Sequence, residues 1–480
     1  WIKSISPSVT TNATRANIVV SVNSTVPPSL LSGTALAPLP AAGWQKVVYT
    51  FVASATTHTI QLSNSNVSAT GNDFAIDDLS LMPPLTSALY SSTSPNCPGV
   101  SDGTIVVYPK GGLEPLTFAL YIGTTLQQTN TTGIFTGLAS GNYKIVITDS
   151  TLPTAGTFTI ATANVATITN PLTATLNSGV CVGSSKELSV SGGTTYTWTA
   201  IPTDPSLAGQ TTSANPTVTP TVATTYTVAS DVSITKNLIF NGNFTNNNIG
   251  FTSDYAYAAS VPNTGVQGAY GVTANPNSWF AGFTICGDHT NGSQRMLVAD
   301  GATVSNLKVW GQKVVVTANQ NYTFSYWVQT LSSPTPINPA SLEVMINGVS
   351  AGVNSAPATA VCGNWTQHTM SWNSGTSTLA SIEIFNRNLN SGGNDFALDD
   401  ITFTTSVSCT YTKTLTITPL AQPTATISGG NTVCPGNTTT LSVTGTPGAT
   451  VLVKNSVNTN FITVVIPLSG TASFVTPVIN

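Results

Sequence analysis

The chain has 480 residues with 13 Lys+Arg and 17 Asp+Glu, so charged side chains make up 6% of it, against about 25% in an ordinary soluble domain. A formal net charge of −4 without a basic stripe argues against nucleic acid or an anionic membrane surface as the main partner. Apolar residues reach 40%, ample for a core and too patterned for disorder, yet nowhere do about 18 run together, so no membrane insertion is expected.

At about 100 to 200 residues per domain, the length predicts three or four domains. Position 1 is Trp, followed by no basic or apolar leader, so the sequence is expected to be a slice of a secreted protein whose export signals lie outside it.

Alternation of apolar and polar residues dominates, as in TIVVYPKG, YKIVITD, TTYTVAS, QKVVVTA and KTLTITP, with Gly, Pro, Asn and Ser clusters between the runs. This is a strand pattern. Thr occupies 81 positions, and Thr and Val at this density disfavour helix by restricting χ1. The reading is all-β: tandem β-sandwich modules, immunoglobulin-like and jelly-roll, in an elongated multidomain chain.

An internal repeat organises the chain. ANIVVSVN matches ASLEVMING, GWQKVVYTF matches NWTQHTMSW, and NDFAIDDLSL matches NDFALDDITF, so 1–81 repeats 327–403. A repeat this long is a duplicated domain. The second copy has strand-like sequence upstream from Asn237, so the first is expected to be the C-terminal half of a jelly roll, 1–83. A sandwich follows at 84–170. A module over 171–235 plus 405–420 is expected to carry a complete jelly roll, 236–404, inserted within it. A final module, 421–480, is expected to be truncated.

Six Cys (Cys97, Cys181, Cys286, Cys362, Cys409, Cys434) are widely spaced with no CxxC pair, which points to disulfides and an oxidising, extracytoplasmic location. Cys286 and Cys362 are the natural pair inside the roll. The 181–235 module lacks a second Cys and a closing strand until VSCTYTKTLTITP, which suggests a Cys181–Cys409 bridge; two successive independent modules are the alternative. Cys97 and Cys434 have no evident partner.

Chemistry is sparse. His58, His289 and His368 are the only histidines, and none accompanies a GxSxG nucleophile. His289, in CGDHTNGSQRML, is open to a structural loop role or a ligand contact. Glycosidases need two carboxylates about 5 to 10 Å apart, whereas Glu343 and Glu383 sit on separate predicted strands. The chain is read as no enzyme.

Residues 97–149, CPGVSDGTIVVYPKGGLEPLTFALY and GIFTGLASGNYKIVITD, resemble the SprB-type repeat of gliding adhesins of Bacteroidetes. CVGSSKELSVSGGTTYTWTA with PTVTPTVATTYTV resembles their PKD/immunoglobulin-like modules, as does CPGNTTTLSVTGTPGATVLV. The segment from NLIFNGNF to NDFALDDITF resembles jelly rolls related to carbohydrate-binding modules. These resemblances imply a giant adhesin or filament exported by the type IX system, with an extracellular, cell-surface location. Its partners would be surface glycans or polysaccharide, and other cell-surface or filament proteins. The alternative is the carbohydrate-binding portion of a secreted polysaccharide-processing enzyme.

In such modules the closing Asp holds a structural Ca²⁺ with groups of the opening segment, which implies Asp399 or Asp400 with Asn243. Thr245 stands where the family often has Glu, and hydrogen-bonding of these Asp to loop amides is the competing reading. Sugar-binding rolls stack pyranoses on exposed aromatics, which implies Trp279, Tyr257 and Tyr255 as a platform, against core packing alone. Trp327, Trp365 and Trp372 are accounted for by packing. Asp149-Ser150-Thr151 matches the D-[ST]-x pattern of O-glycosylation in exported Bacteroidetes proteins, at Ser150.

Overall fold

A computed structural model of the chain describes all residues except 6–13, 24–36, 50, 55–56, 69, 78, 80, 151–154, 176–179, 262–264, 333–337, 431, 455–459 and 477–480. Among the described residues strands dominate, and the one α-helix is the single turn Pro276–Trp279. The chain forms two compact units, Trp1–Ile168 with Ser233–Val407, and Thr169–Val232 with Ser408–Asn480.

In the first unit, Ile2–Ser4 pairs antiparallel with Phe74–Ile76 and Ile18–Val22 with Ile60–Asn64, around a small core of Ile2, Ala16, Ile18 and Ala37. Asp78 of the repeated AspAsp pair lies outside the described residues. Residues 87–165 form a sandwich of a three-stranded and a four-stranded sheet. Their inward-facing Ile105, Val107, Phe118, Leu120, Phe135 and Ile145 build one core.

The 236–404 roll has the largest core. Its strands are β1 (Ala256–Tyr257), β2 (Ala269–Thr273), β3 (Met296–Asp300), β4 (Lys308–Val315), β5 (Asn321–Thr330), β6 (Ser341–Ile346), β7 (Val349–Ser355), β8 (Thr366–Asn373), β9 (Leu379–Asn386) and β10 (Phe396–Ile417). One sheet runs β8-β5-β10-β3-β2-β1 and the other β4-β9-β6-β7. Alternation sends Tyr322, Phe324, Tyr326 and Val328 of β5 inward, with Phe396, Leu398, Ile401 and Phe403 of β10 and Leu342, Val344, Ile382 and Ile384 of the second sheet. A second apolar cluster lies beside the loops: Trp279, Phe283, Met296, Val298, Leu331 and Ala397.

In the second unit, Thr197–Ile201 pairs antiparallel with Thr225–Ala229. Trp198, Leu207, Tyr226 and Val228 pack with Ile417 and Leu415 from the end of the returning strand. Beyond it, Ala425–Gly429, Thr440–Gly445 and Thr471–Val475 form a three-stranded sheet.

The expected Cys181–Cys409 bridge is not formed. Cys181 is a free thiol, as is Cys434, while Cys409 and Cys97 are disulfide-bonded. The residue that meets Cys181 is Leu420, three positions beyond the end of β10, through a parallel bridge fixed by Val182 N to Leu420 O at 2.9 Å and Leu420 N to Val180 O at 2.8 Å. Cys409 lies within β10, and the extended stretch from it to Ile417 alone carries it about 26 Å from that end of the strand. Cys286 and Cys362 are joined, with Cα atoms 5.2 Å apart.

Two consequences are measurable. Thiol titration of the unfolded, unreduced chain should count two thiols, and four or none would contradict the assignment. Cys181→Ser should leave the melting temperature unchanged. Cys362→Ser should lower it, since the bridge closes a separation of 76 residues, a constraint worth about 4 kcal/mol in the chain-entropy picture.

Candidate ligand-binding site

The first sheet of the roll has a core face and an outer face, and the strand register fixes which residues share the latter. Thr323 of β5 lies between Ser371 of β8 and Thr404 of β10, and Ser325 lies between Thr369 and Thr402. Trp327 follows on the same face, between Gln367 and Asp399. The Ser325 and Thr402 hydroxyls meet at 2.9 Å, and Asn373 Nδ2 donates to Asn321 Oδ1 at 2.7 Å. Three neighbouring strands thus carry a band of neutral hydroxyls and amides that ends at an indole.

Around that indole lies an open recess of about 390 Å³, lined by Asp288, His289, Trp327, Trp365, Gly363 and the Cys286–Cys362 bridge. Trp327 and Trp365 are half-buried. The His289 ring stacks on Trp327 with centroids 3.8 Å apart and planes at 18°, and meets Trp365 edge-on at 5.8 Å. The disulfide joins the loop carrying His289 to the segment carrying Trp365, and Gly363 N donates to Cys286 Sγ at 3.2 Å.

Two adjacent carboxylates hold the His289 loop. Asp399 is fully buried; it accepts the His289 backbone N–H at 2.9 Å and the Asp400 N–H at 2.8 Å. Asp400 has φ of 45°, a left-handed conformation that turns its side chain to His289 Nδ1 at 2.7 Å and the Thr290 hydroxyl at 2.9 Å. Asp288 accepts the backbone N–H groups of Asn291 and Gln294, at 3.2 and 2.9 Å, closing the turn. Burial, reinforced by the charge of Asp400, pushes Asp399 up to about 7.

The expected platform is placed differently. Trp279 is 2% exposed and Tyr255 4%. Trp279 Nε1 donates to Ala258 O at 2.8 Å, and the Tyr255 hydroxyl accepts Ala302 N–H at 3.0 Å, so both rings are core. Tyr257 alone of the three is exposed. Trp327 and Trp365, read from sequence as packing residues, line the recess instead, while Trp372 does pack against the core. One signal was available: Trp1 and Trp44 occupy the matching places in the first repeat, where the structure leaves both exposed.

Of the residues expected to hold calcium, Asp399 and Asp400 bind the His289 loop as above. Asn243 Oδ1 accepts from the Thr245 hydroxyl at 3.0 Å within its own turn. Among the described residues no group of three or more His, Cys, Asp or Glu side chains is placed to hold a metal. The Ser150 hydroxyl lies 3.0 and 2.6 Å from the Leu113 and Glu114 carbonyls, and Thr151 lies outside the described residues. The His368 ring is 5.5 Å from Tyr326 and its Nε2 contacts Ser355 O at 3.1 Å, a structural position.

No family model and no curated protein matches the chain. Among solved structures it is similar to the CBM22-1 xylan-binding domain of Xyn10C from Paenibacillus barcinonensis, at 13% identity over 37% of this chain and 93% of that one, TM-score 0.22. It is similar also to a family 16 carbohydrate binding module, at 17% over 35% and 99%, TM-score 0.21. A Stig cyclase from Fischerella sp. TAU matches at 12% over 36% and 98%, TM-score 0.26.

A second acid pair is buried elsewhere in the roll. Asp300 accepts Val266 N–H at 2.7 Å, Asp395 accepts Gly301 N–H at 3.0 Å and the Ser332 hydroxyl, and the two carboxyls share a hydrogen bond. Burial first, then the charge of Asp395, pushes Asp300 up to about 6. A raised carboxyl means that the folded state keeps a proton the unfolded chain has lost. Stability from Asp300 and Asp399 is therefore fully present below about pH 4 and is lost as pH rises through about 6 and 7. Thermal melts should accordingly show higher stability at pH 5 than at pH 8. Asp300→Asn can accept from Val266 and donate to Asp395, so it should raise stability at pH 8 by about 1–3 kcal/mol and flatten the profile; an unchanged profile would contradict the pair.

Proposed function

We propose that the 236–404 roll is a non-catalytic glycan-binding module in an extracellular, adhesive chain, and that it takes a neutral polysaccharide along the outer face of its first sheet. The observation that carries this reading is the half-buried Trp327–Trp365 pair at the end of a hydroxyl- and amide-bearing band. A pyranose offers an apolar face to an indole and hydroxyls to Ser, Thr and Asn, and a recess with one aromatic side and a few polar groups suits it. The carboxyls of Asp288, Asp399 and Asp400 at the recess disfavour an anionic uronate or sulfate and leave a neutral sugar as the favoured ligand. Asp288 and Asp399 spend their oxygens on backbone N–H groups, which leaves neither placed as the acid of a glycosidase.

The wider reading, a type IX-exported adhesin of SprB type with stalk modules spacing such rolls, rests on the sequence resemblances. Cys286–Cys362 is compatible with an oxidising compartment, and no helix among the described residues is long and apolar enough to cross a membrane. The competing reading places the same roll beside a catalytic domain of a polysaccharide-processing enzyme.

Isothermal titration with neutral oligosaccharides tests the site. Trp365→Ala should weaken binding at least tenfold, about 1.4 kcal/mol, with the fold intact by circular dichroism, whereas Tyr257→Ala should leave it unchanged. Equal affinity for Trp365→Ala and wild type would refute the placement, and turnover of any glycan would refute the non-catalytic reading.

A further inference from the structure

Away from the recess, a lysine, a carboxamide and a carboxylate stand in series where the 84–170 sandwich meets the segment entering the roll, within one unit of the fold. Lys236 Nζ lies 2.8 Å from Ser94 O, 2.6 Å from Pro95 O and 3.0 Å from the side-chain oxygen of Asn96. Asn96 Nδ2 donates to Asp102 Oδ2 at 2.6 Å, and Asn96 N donates to Asp102 Oδ1 at 2.7 Å. All of these contacts are part-buried. Between the same two segments, Tyr108 and Phe240 stack with centroids 4.6 Å apart and planes at 8°, which holds the two sides of the joint together.

We propose that Lys236 and Asn96 condense into an intramolecular isopeptide bond, with Asp102 carrying the proton. The geometry sets the nucleophile against its target and the carboxylate against the leaving group. When the ammonium gives up one proton, the carbonyls of Ser94 and Pro95 keep the two remaining N–H groups, and the lone pair takes the third direction, toward the Asn96 carboxamide. The carbon to be attacked is one C=O bond, about 1.2 Å, from the oxygen already in contact. Fixed apposition of this kind replaces the entropy of a bimolecular encounter.

Burial lowers the Lys236 pKa and so favours the neutral nucleophile, with the charge of Asp102 acting in the opposite sense.

The step balances without any other reactant. Water passes one proton from the Lys236 ammonium to Asp102, Nζ attacks Asn96 Cγ, and a tetrahedral intermediate forms. Asp102, already hydrogen-bonded to Nδ2, delivers its proton there as the Cγ–Nδ2 bond breaks. The second Nζ proton leaves with the ammonia as ammonium. The products are one amide linking Nζ to Cγ and one ammonium ion, and the positive charge of Lys236 departs with the latter while Asp102 ends ionised as it began.

The consequence is mechanical. Residues 140 apart in sequence would be joined by a bond that neither reductant nor pulling force at the joint undoes, in a chain read as an adhesive stalk.

The full chain, purified and reduced, should weigh less than its sequence mass by one ammonia, and a tryptic digest should contain a branched peptide joining the Asn96 and Lys236 segments. Lys236→Arg keeps a cation against the three carbonyls, so it folds, but a guanidinium is not a nucleophile; it should show the full mass, as should Asp102→Ala. Wild-type chain at the full sequence mass, with Asn96 and Lys236 in separate linear peptides, would overturn the proposal. So would loss of ammonia that persists in Lys236→Arg.

Discussion

The structure of the roll depends on one constraint, the antiparallel register of β5 between β8 and β10. Side chains on a strand alternate with period two, so a slip of one residue would exchange every inward and outward position. With the register as found, Tyr322, Phe324, Tyr326 and Val328 fill the core, and Thr323, Ser325 and Trp327 face out. The irregularity in the β5–β10 pairing falls between Ser325 and Trp327. It sets Asp399 opposite Trp327, next to Asp400 in its left-handed conformation. Core, polar band and loop anchorage all follow from the same pairing.

A chain with 6% charged residues still buries several carboxyls, and each is matched to donors, as buried polar groups must be. Asp399 and Asp400 tie down the loop that supplies His289 to the recess, and Asp288 closes the turn within it. The Cys286–Cys362 bridge fixes the opposite wall. The recess is therefore held from the sheet side by hydrogen bonds and from the loop side by a covalent link. A stacking site needs this, because ring orientation decides whether an indole can cover a sugar face.

The all-β class, the strands and the Cys286–Cys362 pair were legible in the sequence, because alternation and turn residues are local signals. What was not legible depended on distance along or across a sheet. Cys409 was matched to Cys181 as the Cys on the strand that closes its module, and this says nothing about which end of an extended strand a residue occupies. Trp279 and Tyr255 lie in loop-like sequence, yet the helical turn Pro276–Trp279 folds its indole inward against Phe283. Trp327 sits in an apolar run that reads as core; only its register with Asp399 shows it to be outward. The recurrence of the Trp pair in both repeats was a clue that core packing explained too readily. The Lys236–Asn96–Asp102 series involves residues from distant parts of the chain, with no motif to announce it.

The central claim, that the glycan lies against Trp327 and Trp365, is tested most directly by the indole N–H signals of the roll in a two-dimensional NMR titration with a neutral xylo- or gluco-oligosaccharide. The account predicts saturable shifts of the Trp327 and Trp365 resonances while those of buried Trp279 and Trp310 stay in place. Shifts confined to other indoles, or none with any neutral oligosaccharide, would contradict it.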